Sequence, residues 1–241
     1  MMDISWLGRT TLLIGEEKLL KLTRSHVMVV GMGGVGSFAA EFICRSGIGK
    51  MTIIDGDVVD PTNRNRQLPA LATNHGVSKA DIMAERLRAI NPELELTVIK
   101  QFINPEMVEQ LLNSNPDYII DAIDSITPKL TFMRMAHERK MPMVSSMGAG
   151  GKLDPTKLQV ADISKTFICP FAQQIRKMLK QHGIYKGIKA VFSPEPPIKE
   201  SLMLTDGSNY KKSAYGTISY LPATFGAVVA SVAIRDLLEK V

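Results

Sequence analysis

The sequence predicts an α/β fold: a mostly parallel sheet with helices on both faces, followed by an elaborated C-terminal part. Three observations carry that expectation. Short apolar runs alternate with helical patterns through the first 160 or so residues, as in a parallel sheet covered on both sides. The first run enters a glycine-rich turn, Gly31-Met32-Gly33-Gly34-Val35-Gly36. The next ends in an acid, Asp55, 19 residues after Gly36. With 241 residues, 45% of them apolar, the chain can bury one large core, so one domain is expected over 1–241. Within it we expect an N-terminal arm and helix (1–25), a nucleotide-binding core (26–165) and a C-terminal elaboration for dimer and substrate contacts (166–241).

In chain order, strands are expected at 27–30, 51–55, 96–102, 118–124 and 143–146. A helix from Phe38 to Arg45 follows the glycine turn. A strand that enters a helix through glycines leaves helix N–H groups facing outward, and these attract phosphate. Glycines at Gly31, Gly33, Gly34 and Gly36 permit positive φ and close backbone approach. Asp55 is placed to accept hydrogen bonds from ribose hydroxyls, with Asp57 beside it. Together these features make the core Rossmann-like.

A dinucleotide dehydrogenase would use the glycines and Asp55, but it leaves Asn63, Arg66 and Lys79 without a role. Two cations and an amide just past the ribose acid suit a triphosphate better. Arg66 can fork onto phosphate oxygens, Lys79 can act as a point charge on the β and γ phosphates, and Asn63 can donate to the α-phosphate. Taken singly, Lys79 could be a solvated residue opening an amphipathic helix (Ile82, Met83, Leu87, Ile90), and Arg66 could cap a loop. The strand at 118–124 ends in Asp121-x-x-Asp124. A carboxylate at that tip can hold Mg²⁺ together with substrate phosphates, Asp124 more readily than Asp121, which could cap a turn.

Gly-x-Gly-Gly-x-Gly, Asp55, Asn63-x-x-Arg66-Gln67, Lys79 and Asp121-x-x-Asp124 resemble the adenylation site of the ThiF/MoeB/HesA superfamily, relatives of the ubiquitin-activating enzymes. The resemblance implies that ATP is attacked at its α-phosphate by a carboxylate, giving an acyl-adenylate and pyrophosphate. Gln67 and Asp57 join the expected nucleotide contacts, and Asp124 is the expected metal ligand. In the family an arginine six residues before a glycine equivalent to Gly15 reaches the ATP of the opposite subunit. Arg9 holds that position, which implies a homodimer with composite sites; the alternative is an ordinary exposed arginine.

Family members that activate ubiquitin-like proteins often carry paired Cys-x-x-Cys motifs for zinc. Here the two cysteines, Cys44 and Cys169, stand 125 residues apart, a spacing unsuited to such a site. Cys44 reads as a buried helix residue and Cys169 as structural or incidental, although some relatives have a catalytic cysteine nearby. Residues 121–125, 143–156 and 160–166 are similar to the TcdA (YgdL/CsdL) branch, the tRNA threonylcarbamoyladenosine dehydratases. That resemblance runs from Arg9 to about Leu238. It implies adenylation of the threonyl carboxylate of a modified adenosine in tRNA, then attack by the side chain's own nitrogen with loss of AMP. Alternatives are activation of a small ubiquitin-like sulfur carrier and a non-catalytic nucleotide-binding adaptor. A sulfur-transfer partner protein is a further possible contact.

A net charge of +5 and a pI of about 9.1 favour a polyanionic partner. Arg176, Lys177, Lys180, His182, Lys186 and Lys189 form a basic cluster, followed by Lys211 and Lys212. These would hold a phosphate backbone, or else form a solvated helix face over Ile175, Met178 and Leu179. Aromatic residues are sparse at 6%, so base stacking is not advertised. Loops, mobile without ligand, are expected at 194–197 and 205–208. The apolar run from Leu221 to Ile234 is about 14 residues, short of the ~20 a membrane span needs, and reads as a core or interface helix. With neither a signal segment nor paired cysteines, the cytoplasm is the expected compartment.

Overall fold

The computed structural model describes residues 3–204 and 213–239. Seven strands form one sheet in the order β3-β2-β1-β4-β5-β7-β6. They are β1 (His26–Val30), β2 (Lys50–Ile54), β3 (Glu95–Ile99), β4 (Tyr118–Asp121), β5 (Met143–Ser146), β6 (Gln159–Asp162) and β7 (Lys189–Phe192). All neighbours pair in parallel except β6 and β7, which makes β6 an antiparallel edge. A separate hairpin pairs β8 (Leu202–Leu204) with β9 (Ser213–Tyr215).

Period-2 alternation divides the core between the two faces of the sheet. Val27 and Val29 join the cluster built with α2 (Glu16–Arg24), α3 (Gly36–Arg45), α4 (Lys79–Ile90) and α8 (Tyr220–Glu239). Met28 and Val30 face the other way, onto α5 (Pro105–Asn113), α6 (Ile126–Glu138) and α7 (Pro170–Gln181). Helix α1 (Gly8–Ile14) precedes α2 and buries none of its side chains.

Several boundaries differ from expectation. The strand expected at 118–124 stops at Asp121, because its partner β1 ends at Val30 and only one further bond forms, from Ala122 N–H to the Val30 carbonyl. Asp124 therefore sits in a loop beyond the strand. The strand expected at 96–102 stops at Ile99, where β2 ends at Ile54. The C-terminal apolar run is a 20-residue helix rather than about 14. Among the described residues it alone has the length and hydropathy to cross a membrane, but it packs on α3, β4 and β5 with half of its apolar window buried. Gly226 lets that helix close on α3: a Cβ there would lie 2.6 Å from the Val35 carbonyl oxygen. Within the loop at 194–197 the Glu195 carboxylate accepts N–H groups from Leu153 and Asp154 at 3.0 and 2.9 Å. The other expected loop, 205–208, lies outside the described residues.

Candidate active site

The sheet order reverses between β1 and β4, and ligands of open α/β sheets bind outside such a reversal. The glycine turn leaves β1 there. Gly31 has φ +91°, and a Cβ on it would sit 2.9 Å from the Ala122 carbonyl oxygen. A Cβ on Gly36 would come within 1.7 Å of the Gly31 carbonyl oxygen, and one on Gly34 within 2.9 Å of Pro222. At Gly33 the nearest atom is Gln67 Nε2 at 3.9 Å, so this glycine borders open space. Val35, at the N-cap of α3, makes no side-chain capping hydrogen bond, which leaves that end of the helix suited to an anion.

Asp55 ties the turn to β2. Its Oδ2 accepts the Met32 N–H at 2.6 Å and its Oδ1 accepts the Asp57 N–H at 2.7 Å. Burial pushes the Asp55 pKa up, and the Lys79 charge is the first of the opposing influences. Lys79 opens α4, which Ser78 caps through the Asp81 N–H. The Lys79 side chain is buried, with Nζ 3.0 Å from Asp57 Oδ2. Asp57 thus holds the lysine in place, a role its position in the sequence does not advertise.

Asp60 caps the short turn Pro61–Asn63, and the Asn63 side-chain oxygen accepts the Asp60 N–H at 3.2 Å. Arg66 and Gln67 both donate their N–H groups to the Asn63 carbonyl, at 3.1 and 2.9 Å. Arg66 Nη1 donates to the Thr62 carbonyl and to Asn65 Oδ1, each at 2.9 Å. Burial draws the Arg66 pKa down, opposed first by Asp124 and then by Asp60. Arg66 and Asp124, 58 positions apart in the chain, are therefore electrostatic neighbours. Gln67 Oε1 is buried without a hydrogen-bond partner among the described residues. An acceptor so placed, beside the open space at Gly33, fits a donor-bearing ligand such as a nucleotide.

Asp124 is exposed just before α6. No group of three or more His, Cys, Asp or Glu residues suited to a metal occurs among the described residues. A cation at Asp124 would then take its other ligands from phosphates and water, which is how Mg²⁺ is usually held beside a triphosphate. Asp121 has a different environment. It is wholly buried, with Oδ2 2.8 Å from Lys129 Nζ and accepting Ser145 Oγ at 2.7 Å, while Oδ1 accepts the Ile123 N–H at 3.0 Å. Neither Lys129 nor Ser145 stood out in the sequence. The one available signal was a lysine set among Leu130, Phe132 and Met133 on an otherwise apolar face of α6.

Arg9 is not brought to this site within the chain. It is exposed on α1, and the preceding Leu7 packs at Gly47, before β2 begins and so at the opposite end of the sheet. The basic cluster is also divided. Arg176 donates to the Thr166 carbonyl at 2.7 Å, and Lys189 pairs with Asp236 at 2.5 Å, so both are engaged within the protein. Lys177, Lys180, His182 and Lys186 are exposed, whereas Lys211 and Lys212 lie outside the described residues. Cys44 is buried, with its thiol pushed up to about 12 by desolvation, and Cys169 is buried at the start of α7.

A glycine turn at the reversal point, with Asp55 and Lys79 on one side and Arg66 and Asp124 near each other, gives the fold of a nucleotide-binding α/β protein. Residues 7–240 match the ThiF family, and the chain belongs to it. It is 41% identical to the tRNA threonylcarbamoyladenosine dehydratase of Bacillus subtilis (strain 168), over 97% of this chain and 95% of that protein. It resembles the crystal structure of the E. coli tRNA N6-threonylcarbamoyladenosine dehydratase TcdA in complex with ATP, at a TM-score of 0.87 and 40% identity, covering 98% of this chain and 94% of that one. With the AMP complex of the same enzyme the TM-score is 0.89 at 40% identity, covering 99% and 97%.

Proposed function

We propose that this chain is an ATP-dependent tRNA threonylcarbamoyladenosine dehydratase that works as a homodimer. The observation that carries the reading is the electrostatic pairing of Arg66 with Asp124 and of Lys79 with Asp55, the acid that holds the glycine turn. It occurs in a chain similar to such dehydratases over almost its whole length.

In the first step an oxygen of the threonyl carboxylate attacks the α-phosphorus of ATP. The bond from that phosphorus to the bridging oxygen breaks, and pyrophosphate leaves. Two anions must meet, so the main demand on the protein is neutralisation of charge where it builds up. Arg66 and Lys79 supply fixed cations, and the backbone of the glycine turn receives phosphate oxygens. Asp55 and Asn63 hold the turn and the Arg66 loop in register through the bonds described above. Bound at Asp124, Mg²⁺ would add positive charge on the phosphates. In the second step a nitrogen of the same side chain attacks the acyl carbon, a ring closes, the nitrogen gives up its proton, and AMP departs with the carboxylate oxygen. The net change in the nucleoside is loss of water, driven by cleavage of ATP to AMP and pyrophosphate. Neither step requires a thiol, in keeping with the burial of both cysteines.

Leu12 and Leu13 support the dimer. They are 89% and 84% exposed on α1, beside Arg9, and a second copy would cover them while receiving that arginine. Lys177, Lys180 and Lys186 supply the free positive charge for the tRNA backbone.

The test is incubation of the protein with ATP, Mg²⁺ and tRNA carrying threonylcarbamoyladenosine, followed by mass spectrometry of the nucleosides. Conversion to a species lighter by one water is expected, and Arg66→Ala or Lys79→Ala should slow it by about 100-fold or more. Unchanged nucleoside with the wild-type protein would refute the reading.

A further inference from the structure

We propose that Lys129 is the positioning residue for Asp124, fixing the loop 122–124 at the rim of the nucleotide site. Its side chain is fully buried, and Nζ lies 2.8 Å from Asp121 Oδ2 and donates to the Ile123 carbonyl at 3.1 Å. Asp121 takes the N–H of the same residue through Oδ1. One buried ion pair thus grips Ile123 by both its N–H and its C=O, immediately before Asp124. The same loop underlies the glycine turn, since the Ala122 carbonyl oxygen is the atom that excludes a side chain at Gly31.

The pair is poorly explained as a source of stability. Two buried charges lose their hydration, and apolar groups of similar volume often serve a core as well or better. Around Lys129 the surroundings are largely apolar: Leu130, Phe132 and Met133 are buried neighbours on α6, and the Phe171 ring centroid is 5.7 Å from Nζ. What the ammonium provides, and a methyl group would not, is a donor to Ile123 and a fixed counter-charge for Asp121. Groups that orient a metal ligand from behind typically change metal affinity or activity by about 10–100-fold when removed.

This inference depends on the reading above that Asp124 serves the magnesium-bound triphosphate. The experiment compares ATP binding by calorimetry, with and without Mg²⁺, in the wild type, Asp124→Asn, and the double variant Lys129→Met/Asp121→Asn. The double variant leaves no unpaired buried charge and keeps an acceptor for the Ile123 N–H. It should melt near the wild-type temperature and bind metal-free ATP normally, but lose about 10–100-fold of the affinity gained from Mg²⁺. Faster hydrogen exchange at residues 123–125 should accompany that loss. Ser145→Ala, which removes one hydrogen bond from Asp121, should act in the same direction, by a few-fold. A double variant with the full magnesium gain overturns the positioning role, and one that fails to fold makes the pair a stability element and overturns it as well. If instead Asp124→Asn keeps the full magnesium gain, the assignment of Asp124 fails, and the role of Lys129 fails with it.

Discussion

At Gly36 there is no room for a side chain, because a Cβ would lie 1.7 Å from the Gly31 carbonyl oxygen. Gly33, three residues earlier, has only Gln67 Nε2 at 3.9 Å. The two positions should therefore fail differently. Gly36→Ala should destabilise the fold by several kcal/mol, about the range of severe strain or overpacking, and lower the melting temperature sharply. Gly33→Ala should melt like the wild type yet bind ATP at least about tenfold more weakly, since the new methyl enters the space left for phosphate. Equal melting temperatures for the two variants would contradict this contrast. At this scale the neighbourhood of the candidate residues was legible in the sequence. The glycines, Asp55, Arg66 and Lys79 occupy one short stretch, where spacing along the chain limits what they can reach. The pairing of Asp57 with Lys79 and of Asp121 with Lys129 was not legible, because each depends on how a helix start or face docks against a loop.

Among the elements, strand cores were easier to foresee than strand ends. The apolar runs mark β1, β4 and β5, but a parallel strand stops where its neighbour stops, and that information lies elsewhere in the chain. Asp124 was accordingly placed on a strand when it lies three residues past one. The junction of β1 and β2 also holds a pH-sensitive group. His26 Nε2 lies 2.8 Å from Thr52 Oγ1, and burial, followed by the charge of Lys50, lowers its pKa from the ordinary 6.5. A depressed folded-state value means that the neutral ring is favoured in the fold. The associated stability is fully present above about pH 6.5 and is lost as pH falls through the folded value. The melting temperature should thus drop as pH falls below about 6.5, and His26→Gln should flatten that drop. Parallel pH profiles for the two proteins would show that His26 has no part in it.

For the molecule as a whole, assembly turns on Arg9, which the fold leaves at the end of the sheet away from its own glycine turn. If the arginine acts across a two-fold dimer, Arg9→Ala and Lys79→Ala chains should each be inactive and regain activity when mixed. Random assortment leaves one intact site in each mixed dimer, so about a quarter of wild-type turnover is expected. No recovery after subunit exchange has been verified would remove Arg9 from the site. That arrangement was suggested by resemblance alone. Within one chain, neither apolar pattern nor charge could specify a contact completed by a second copy. The overall α/β layering was legible because alternating runs and helical periods are repeated along most of the chain.

The contact of α8 with the glycine turn bears on how the protein is made. Pro222 packs on Gly34, and Gly226 meets the Val35 carbonyl, so the nucleotide cradle is walled by a helix near the far end of the polypeptide. During synthesis the turn leaves the ribosome roughly 190 residues before that helix, an interval on the order of 10–40 s at ordinary elongation rates. Until then the half-built cradle exposes the apolar face of α3 that α8 will cover. The wall of the cradle is therefore completed only once that helix has emerged, long after the turn itself.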